Sequence, residues 1–540
     1  MKEKKNIGLI LLPLVLTVGI VGGIFIGRVM NTRHLTPAQE KWAALLSLIN
    51  DEYVDDVDID SLIEKSIPDL LAYLDPHSAY IPASELTAVN EDLSNSFSGV
   101  GVSFQLINDS VMIVEVIPGG PAEKVGLMPG DRIVSANGTQ LTGAELTNEL
   151  VFKTLRGPDG TKAHLKVKRS NSKKLLSFDV LRDRIPVNSV DAIYMTAPGI
   201  GYLRVSKFGN GTYDEFFNAL NTLKAKGATK FIVDLRGNTG GYMDQAIYMA
   251  NEFLPKGRMI VYSKGRSPLN ETMAVADGNG AFQDAGISVL LDEYSASASE
   301  IFAGAIQDND RGVIIGRRSF GKGLVQNQTT LPDSSAVRLT VARYYTPSGR
   351  CIQKDYKRGA GGRYELDIVE RYNHGEFYSQ DSIKLDKSKK FTTAGGRTVY
   401  GGGGIMPDIF VAQDTTGYTS YYANAINSGL IQKFAFQVVE KHRPLLKNVK
   451  TIEQLNRIIP RDDTLLENFV SFAAANGIPA RWYYINQSRS LLLNQIKSVI
   501  ARDVLGYSEF IRSLNMSDPT VERAIQSMQK NNSNVMSKTK

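Results

Sequence analysis

Residues 287–326 read ISVLLDEYSASASEIFAGAIQDNDRGVIIGRRSFGKGLVQ, and they decide the fold of this chain. The apolar run 287–291 predicts a buried strand, residues 300–307 predict a helix, and residues 313–316 predict another strand. This order of strand, helix and strand predicts an α/β core with a substantially parallel sheet.

The same alternation extends toward the N-terminus. Strands are predicted at residues 201–205 and 230–236, and helices at residues 214–226 and 244–253. The predicted fold class is therefore multidomain α/β, with its core at residues 186–410.

A small β-rich unit precedes the core at residues 97–185. Residues 111–117 predict a strand, residues 122–126 a short helical turn, and the pair Asn137-Gly138 a hairpin. Four motifs mark this unit: Gly99-Val-Gly-Val, Gly119-Gly-Pro-Ala, Gly126-Leu-Met-Pro-Gly-Asp-Arg-Ile and Asn137-Gly.

These motifs, in this order, resemble a PDZ domain of the bacterial protease type. The resemblance implies that backbone N–H groups of Gly99, Val100, Gly101 and Val102 hold the terminal carboxylate of a bound peptide. A plain β-domain that binds nothing is the alternative.

Three further segments complete the predicted organisation. Residues 37–95 predict an N-terminal helical region, and residues 354–404 are polar and glycine-rich, which indicates a long loop or a small insertion in the core. Residues 411–540 predict a helical C-terminal extension. Capping of the protein, formation of a homo-oligomer and binding of an adaptor all stay open for this extension.

Residues 7–27 carry no charge and are long enough to cross a bilayer, so residues 1–30 are predicted to be a membrane anchor. A cleaved signal peptide is the alternative, but no small-x-small cleavage site follows. Lys2, Lys4 and Lys5 favour a cytoplasmic N-terminus. The prediction is a single-pass protein of a bacterial inner membrane, with its body on the periplasmic or extracytoplasmic side.

The formal net charge of +6 does not indicate a nucleic-acid partner, because half of that excess lies in the first 30 residues. With one cysteine, Cys351, the chain holds no cysteine-based metal cluster, and its five histidines are widely spaced. We therefore expect neither a metal site nor a cofactor.

Chemistry is indicated first by Ser295-Ala-Ser-Ala-Ser-Glu, which follows the predicted strand 287–291. A turn of small residues there exposes a hydroxyl and directs backbone N–H groups at its neighbour, which suits a nucleophile with an oxyanion hole. Ser297-x-x-Glu300 is also a capping box, so capping of the next helix is the competing interpretation.

Two more segments follow predicted strands. Gly316-Arg-Arg-Ser-Phe-Gly-Lys-Gly nearly matches a phosphate-binding loop, but Gly323 stands where such a loop needs Ser or Thr. Lys322 instead suits a buried lysine that loses its proton and acts as a general base. Asp234-Leu-Arg-Gly-Asn-Thr-Gly-Gly offers glycines whose N–H groups can approach a ligand, or only a tight turn.

Together the three segments resemble the C-terminal processing peptidases, serine peptidases that use a Ser–Lys dyad. That family places a lysine 25 residues after its nucleophilic serine and a glutamine four further on, and Ser297, Lys322 and Gln326 fit this spacing. The resemblance implies a crotonase-like peptidase core in which Ser297 attacks, Lys322 moves the proton and Gln326 orients Lys322. It also implies an oxyanion hole formed by the N–H groups of Ala298 and Gly241.

The family usually has Arg-Asn-Asn-x-Gly-Gly where this chain has Arg236-Gly-Asn-Thr-Gly-Gly, so the implied role of Gly241 is less secure. The expected function is that of an anchored, exported endopeptidase that captures protein C-terminal tails and cleaves near them. Two alternatives stay open, a catalytically inactive tail-binding scaffold and a Ser–His–Asp hydrolase that uses His77.

Overall fold

A computed structural model describes residues 36–106, 109–117, 119–169, 172–359 and 361–537. The chain divides into two compact units, one that ends at Leu71 and one that begins at Ala72. The strands, in chain order, are β1 Ala79–Ile81, β2 Ser96–Gly99, β3 Val102–Leu106, β4 Val111–Val116, β5 Arg132–Ala136, β6 Thr139–Gln140, β7 Lys162–Lys168, β8 Leu176–Leu181, β9 Asp183–Pro186, β10 Val190–Ala197, β11 Ile200–Val205, β12 Lys230–Asp234, β13 Met259–Gly265, β14 Thr272–Val275, β15 Gly286–Leu291, β16 Val313–Gly316, β17 Leu324–Thr330, β18 Ala336–Tyr345, β19 Lys390–Thr392, β20 Thr398–Tyr400 and β21 Ile409–Phe410.

The first unit contains the helix Pro37–Glu52 and most of the helix Ile59–Ala72. The Thr36 hydroxyl caps the first of these helices, and the Gln39 side-chain oxygen accepts a hydrogen bond from the Thr36 N–H group. Within the described ranges, no helix is long and apolar enough to cross a membrane. The predicted anchor, residues 1–30, lies outside the residues that the structure describes.

A six-stranded sheet forms the centre of the second unit, in the order β10-β11-β12-β15-β16-β21. Its pairs are parallel except β10–β11, so the prediction of a substantially parallel sheet is confirmed. The strands β12, β15 and β16 all end at one edge of the sheet, where the three predicted chemical segments begin. Such an edge is the usual place for a ligand crevice in an α/β sheet.

Helices cover both faces of this sheet. One face packs on the helices Thr212–Ala225, Met243–Asn251 and Ala298–Asp308 through a large apolar core. The other face packs on residues of the two C-terminal helices, Tyr507–Asn515 and Pro519–Ser537. Part of the predicted C-terminal extension is therefore a layer of the core.

The β-rich unit has a five-strand path β3-β4-β5-β7-β8, with β6 paired to β5. Asn137 and Gly138 have φ angles of 51° and 83°, which is the left-handed geometry that an Asn-Gly hairpin requires, and the predicted hairpin is confirmed. The helix Asn148–Leu155 also packs in this unit through Val151 and Leu155. That helix was missing from the sequence prediction.

A further sheet, in the order β1-β18-β13-β14 with β17 paired to β18, flanks the crevice. Residues 354–404 form a small insertion with the short helices Gly361–Glu365 and Asp367–Asn373 and the hairpin β19–β20. The described part of the C-terminal extension is helical as predicted, and its helices before residue 507 are Ser420–Asn427, Leu430–Leu446, Ile452–Ile458, Asp462–Ala475, Trp482–Gln487 and Arg489–Leu505.

Candidate active site

Ser297 lies at the tip of the turn that joins β15 to the helix Ala298–Asp308. Its φ of 57° and ψ of −113° are unusual for a residue with a side chain, so the turn holds Ser297 in a strained conformation. Every residue of the following helix is buried, which fixes the turn to a rigid element. Ser297 lines a cleft of about 1400 Å³.

The Glu300 carboxylate ties the Ser297 turn to the segment that carries Lys322. Its Oε2 accepts from the N–H groups of Ser297 at 2.8 Å and Lys322 at 2.9 Å. Its Oε1 accepts from the Gly321 N–H group at 2.7 Å and the Ser319 hydroxyl at 2.5 Å. The capping-box bond from the Ser297 N–H group to the Glu300 side chain is therefore present. The same carboxylate also fixes the loop before β17.

Burial raises the pKa of the Glu300 carboxyl to about 7, although its four hydrogen bonds favour the ionised form. Glu300 is 0 % exposed, and all four of its partners point donors at it. An ionised carboxylate satisfies that arrangement best, because it is purely an acceptor.

Lys322 lies in the same cleft, and its Nζ donates to Gln326 Oε1 at 3.0 Å. Burial lowers the pKa of Lys322, and the positive charge of Arg338 lowers it further, against the opposing charges of Glu300 and Asp75. Both effects favour the neutral amine. The structure thus brings Ser297, Lys322 and Gln326 together in one cleft.

The turn Asp75-Pro-His-Ser reaches this group. The backbone carbonyl of His77 accepts from Gln326 Nε2, and the ring Nε2 of His77 lies 2.8 Å from Tyr364 Oη. Burial lowers the pKa of His77 to about 4, with a further contribution from Lys322. His77 is therefore neutral at neutral pH, and its carbonyl holds Gln326 with its amide oxygen toward Lys322.

Asp75 anchors that turn. Its carboxylate accepts from the N–H groups of His77 and Ser78 at 2.9 Å each, from the Ser78 hydroxyl at 2.6 Å and from Thr340 Oγ1 on β18 at 2.9 Å. Because β18 pairs with β17, which carries Gln326, the turn and the strand keep a fixed separation.

The glycine-rich segment after β12 packs directly against the Ser297 turn. A Cβ atom on Gly240 would lie 2.7 Å from Ser297 Cβ and 3.1 Å from the Ala298 nitrogen, so only glycine permits this approach. A Cβ atom on Gly241 would lie 2.1 Å from the Phe208 carbonyl oxygen. Gly241 lines the cleft and Ala298 begins the helix beside it.

Asn238 organises this loop, and the sequence analysis gave it no role. Its side chain donates to the Val205 carbonyl and accepts from the Gly240 N–H group, each at 2.8 Å. Its backbone carbonyl accepts from the Ala296 N–H group at 3.0 Å and the Ser299 hydroxyl at 2.9 Å. The available signal was that Asn238 matches the second asparagine of the family pattern Arg-Asn-Asn-x-Gly-Gly.

The predicted tail-binding residues Gly99, Val100, Gly101 and Val102 run from the last residue of β2 to the first residue of β3, and they do not line the cleft. Gly101 has a φ of +81°, and a Cβ atom there would lie 3.1 Å from both Ile185 and Pro121. The loop is thus held by its own unit, apart from the Ser297 cleft.

Three family models match the chain. Residues 98–181 match the PDZ domain, residues 199–359 match peptidase family S41, and residues 421–506 match a family of unknown function. The fold and these matches define a serine-type peptidase with a PDZ domain.

Curated relatives agree. A carboxy-terminal-processing protease of Bartonella bacilliformis is 38% identical over 328 residues, which is 60% of this chain and 74% of that protein. A probable CtpA-like serine protease of Staphylococcus aureus is 34% identical over 353 residues, 64% of this chain and 69% of that protein. The chain belongs to the carboxy-terminal-processing protease family.

The chain is also similar to solved structures of C-terminal proteases. The photosystem II D1 C-terminal processing protease has 28% identity and a TM-score of 0.32, and it covers 59% of this chain and 90% of its own length. The PDZ domain of the carboxy-terminal protease from Vibrio cholerae, in complex with a peptide, has 28% identity and a TM-score of 0.16 over 17% of this chain and 99% of its own.

Proposed function

We propose that this protein is an endopeptidase that cleaves near protein C-termini with Ser297 as nucleophile and Lys322 as general base. The proposal rests on one observation: Lys322 lies half-buried in the Ser297 cleft, bonded to Gln326, and Glu300 binds the backbones of both Ser297 and Lys322. We favour this proposal over an inactive scaffold because Ser297, Lys322 and Gln326 all line one cleft.

In the proposed reaction, Ser297 Oγ attacks the scissile carbonyl carbon and gives its proton to the neutral Lys322 amine. The N–H groups of Gly241 and Ala298 stabilise the resulting oxyanion. Lys322 then protonates the leaving amine as the C–N bond breaks, which leaves an acyl group on Ser297. Water attacks this ester, again with Lys322 as base, and releases the shortened chain.

Gln326 is proposed to keep the Lys322 amine directed into the cleft. Its amide oxygen accepts from Lys322 at 3.0 Å, and its amide nitrogen is occupied by the His77 carbonyl. The amide therefore cannot rotate without loss of a bond. A lysine side chain has many rotamers, so this contact reduces the entropy that must be lost at each turnover.

We propose that the loop Gly99–Val102 captures the terminal carboxylate of the substrate. Two peptides of one sequence, one with a free carboxylate and one amidated, test this role. We expect kcat/KM to be about 10- to 100-fold lower for the amidated peptide, because charge-assisted hydrogen bonds to the carboxylate are lost. Equal cleavage of both peptides would exclude tail capture.

Gly101→Ala provides the matched variant for that experiment. A side chain at φ +81° distorts the loop, so the variant should lose its preference for the free carboxylate while it cleaves the amidated peptide as the wild type does. Ser297→Ala serves as the inactive reference.

We also propose that residues 1–30 anchor the protein in a bacterial inner membrane with its body on the extracytoplasmic side, and that the helical extension takes part in oligomer or adaptor contacts. The uncharged stretch 7–27 supports the anchor. We expect the full chain to stay in the membrane pellet after alkaline carbonate extraction, and a variant without residues 7–27 to be released. Release of both would contradict the anchor.

A further inference from the structure

The loop that carries Gly240 and Gly241 begins with Arg236, whose guanidinium is shared between two parts of the chain. Four hydrogen bonds from Arg236 to Asp234 are local: the backbone N–H group donates to Oδ1 at 2.9 Å, Nε donates to Oδ1 and Oδ2 at 3.0 Å each, and Nη2 donates to Oδ2 at 2.6 Å. The remaining nitrogen, Nη1, donates to Asp518 Oδ2 at 2.6 Å. Asp518 lies 282 residues away, in the C-terminal extension.

Asp518 has a second contact that fixes its own position. Its Oδ1 accepts from the N–H groups of Thr520 at 2.8 Å and Val521 at 3.1 Å, which makes it the N-cap of the helix Pro519–Ser537. One carboxylate therefore caps the last helix with one oxygen and binds Arg236 with the other.

Residues 515–518, which join the last two helices, make a second polar contact with the core. Asn515 Nδ2 donates to Tyr194 Oη at 2.8 Å, and the Tyr194 ring stacks on Tyr202 with 4.7 Å between centroids. Tyr202 Oη donates to Asp234 Oδ2 at 2.6 Å. Asp518 therefore contacts the Asp234–Arg236 pair directly, and Asn515 contacts it through Tyr194 and Tyr202.

Apolar packing seats the last helix on the sheet beneath that pair. Val521, Ala524 and Met528 are at most 5 % exposed, and they share a cluster with Ile232 of β12 and Leu290 of β15. These two strands lead into the glycine loop and the Ser297 turn. The helix therefore has a fixed register relative to both.

We infer that Asp518 is a positioning residue for peptide cleavage: through Arg236 it holds the Gly237–Gly241 loop where the Gly241 N–H group can stabilise the oxyanion. This inference rests on the proposed function. It makes the segment 507–537 a part of the catalytic core rather than a dispensable appendage. Because the side chains of Arg236 and Asp518 are 19% and 22% exposed, their attraction is screened less than that of a surface pair.

Asp518→Asn tests this role with little damage to the cap, because asparagine is as good an N-cap as aspartate. With its oxygen in the cap, the asparagine places its amide nitrogen against Arg236 Nη1, so two donors oppose each other. We expect kcat to fall about 10- to 100-fold with KM little changed, since a small misplacement of an oxyanion donor has effects of this size. Asp518→Ser, which also caps, should behave alike.

Inhibition by a peptide boronic acid separates a loss of oxyanion stabilisation from a purely structural effect of the Asp518 variants. It forms a tetrahedral adduct on a nucleophilic serine, so its inhibition constant should rise in parallel with the fall in kcat. Asp518→Glu keeps the charge and should recover most of both losses. Asp462→Asn removes another carboxylate of the extension, which pairs with Lys497 at 2.5 Å, and should leave both constants unchanged.

The outcomes separate this inference from the proposed function. If the wild type does not cleave peptides, the proposed function fails. If the wild type cleaves them and both the Asn and Ser variants keep its kcat and boronate inhibition, Asp518 is only a helix cap and the inference is wrong. A fall in kcat for those variants that Asp518→Glu does not repair would likewise overturn it, because charge would then not be the cause.

Discussion

Ser297→Ala and Lys322→Ala are each expected to lower kcat for tail-peptide cleavage by about 10⁶-fold, which is the size seen when a serine protease loses its nucleophile or its base. The double variant should be no slower than either single variant, because the two groups act as a unit. Kinetics on a fluorogenic tail peptide would measure these values. Lys226→Ala, at an exposed helix end, is the control and should cleave normally.

Lys322→Arg sharpens this test, because arginine keeps the positive charge but does not lose its proton in proteins. If Lys322 is a general base, the arginine variant should be as inactive as the alanine variant. The wild type should become more active as pH rises until Lys322 is neutral, and its lowered pKa moves that rise below the usual range of lysine. Full activity of Lys322→Ala with loss in His77→Ala would instead establish the Ser–His–Asp alternative.

The alternation of strands and helices in the core was predictable because each element is a local pattern. The run 287–291 is apolar except for Ser288, as is typical of a strand buried on both faces, and the structure has β15 at Gly286–Leu291. The helix Asn148–Leu155 escaped prediction because it has two turns and two fully buried residues, Val151 and Leu155. A pattern that short does not separate a helix from a loop.

The contacts around Lys322 were not predictable in the same way, because they join distant parts of the chain. The His77 carbonyl meets Gln326 across 249 residues, and Thr340 meets Asp75 across 265. No local periodicity encodes such pairs. The fold is what shows that the His77 carbonyl reaches Gln326.

In the fold, the Ser297 turn has contacts that a helix cap alone does not explain. In the sequence, Ser297 and Glu300 fit a capping box as well as they fit a nucleophile and its neighbour. In the fold, Glu300 binds the Ser297 N–H group, yet it also binds Ser319, Gly321 and Lys322. A cap alone does not require those three additional donors.

Glu300→Gln is expected to lower kcat/KM by about 10- to 100-fold, the second large effect that the site predicts. The two carboxylate oxygens each accept two bonds, whereas glutamine offers one oxygen. If the glutamine oxygen keeps the bonds to Ser297 and Lys322, its amide nitrogen faces Ser319 and Gly321. The Ser319 hydroxyl can turn to accept from this nitrogen, but the buried Gly321 N–H group loses its acceptor. Such an orphaned donor costs about 1–3 kcal/mol, and it lies beside Lys322.

The pH dependence of stability gives an independent check on Glu300. Its pKa in the folded state, about 7, lies above its ordinary value of 4.5, so the folded state holds this proton more tightly than the unfolded state. The wild type should therefore lose stability relative to Glu300→Gln as pH rises from about 4.5 to 7, and thermal denaturation across that window would measure it.

Glu252→Gln is the matched control: Glu252 is also buried, with Tyr213 and the Ala281 N–H group as partners away from the cleft. It should alter Tm but not kcat/KM; if both variants slow cleavage equally, Glu300 has no special place in the site.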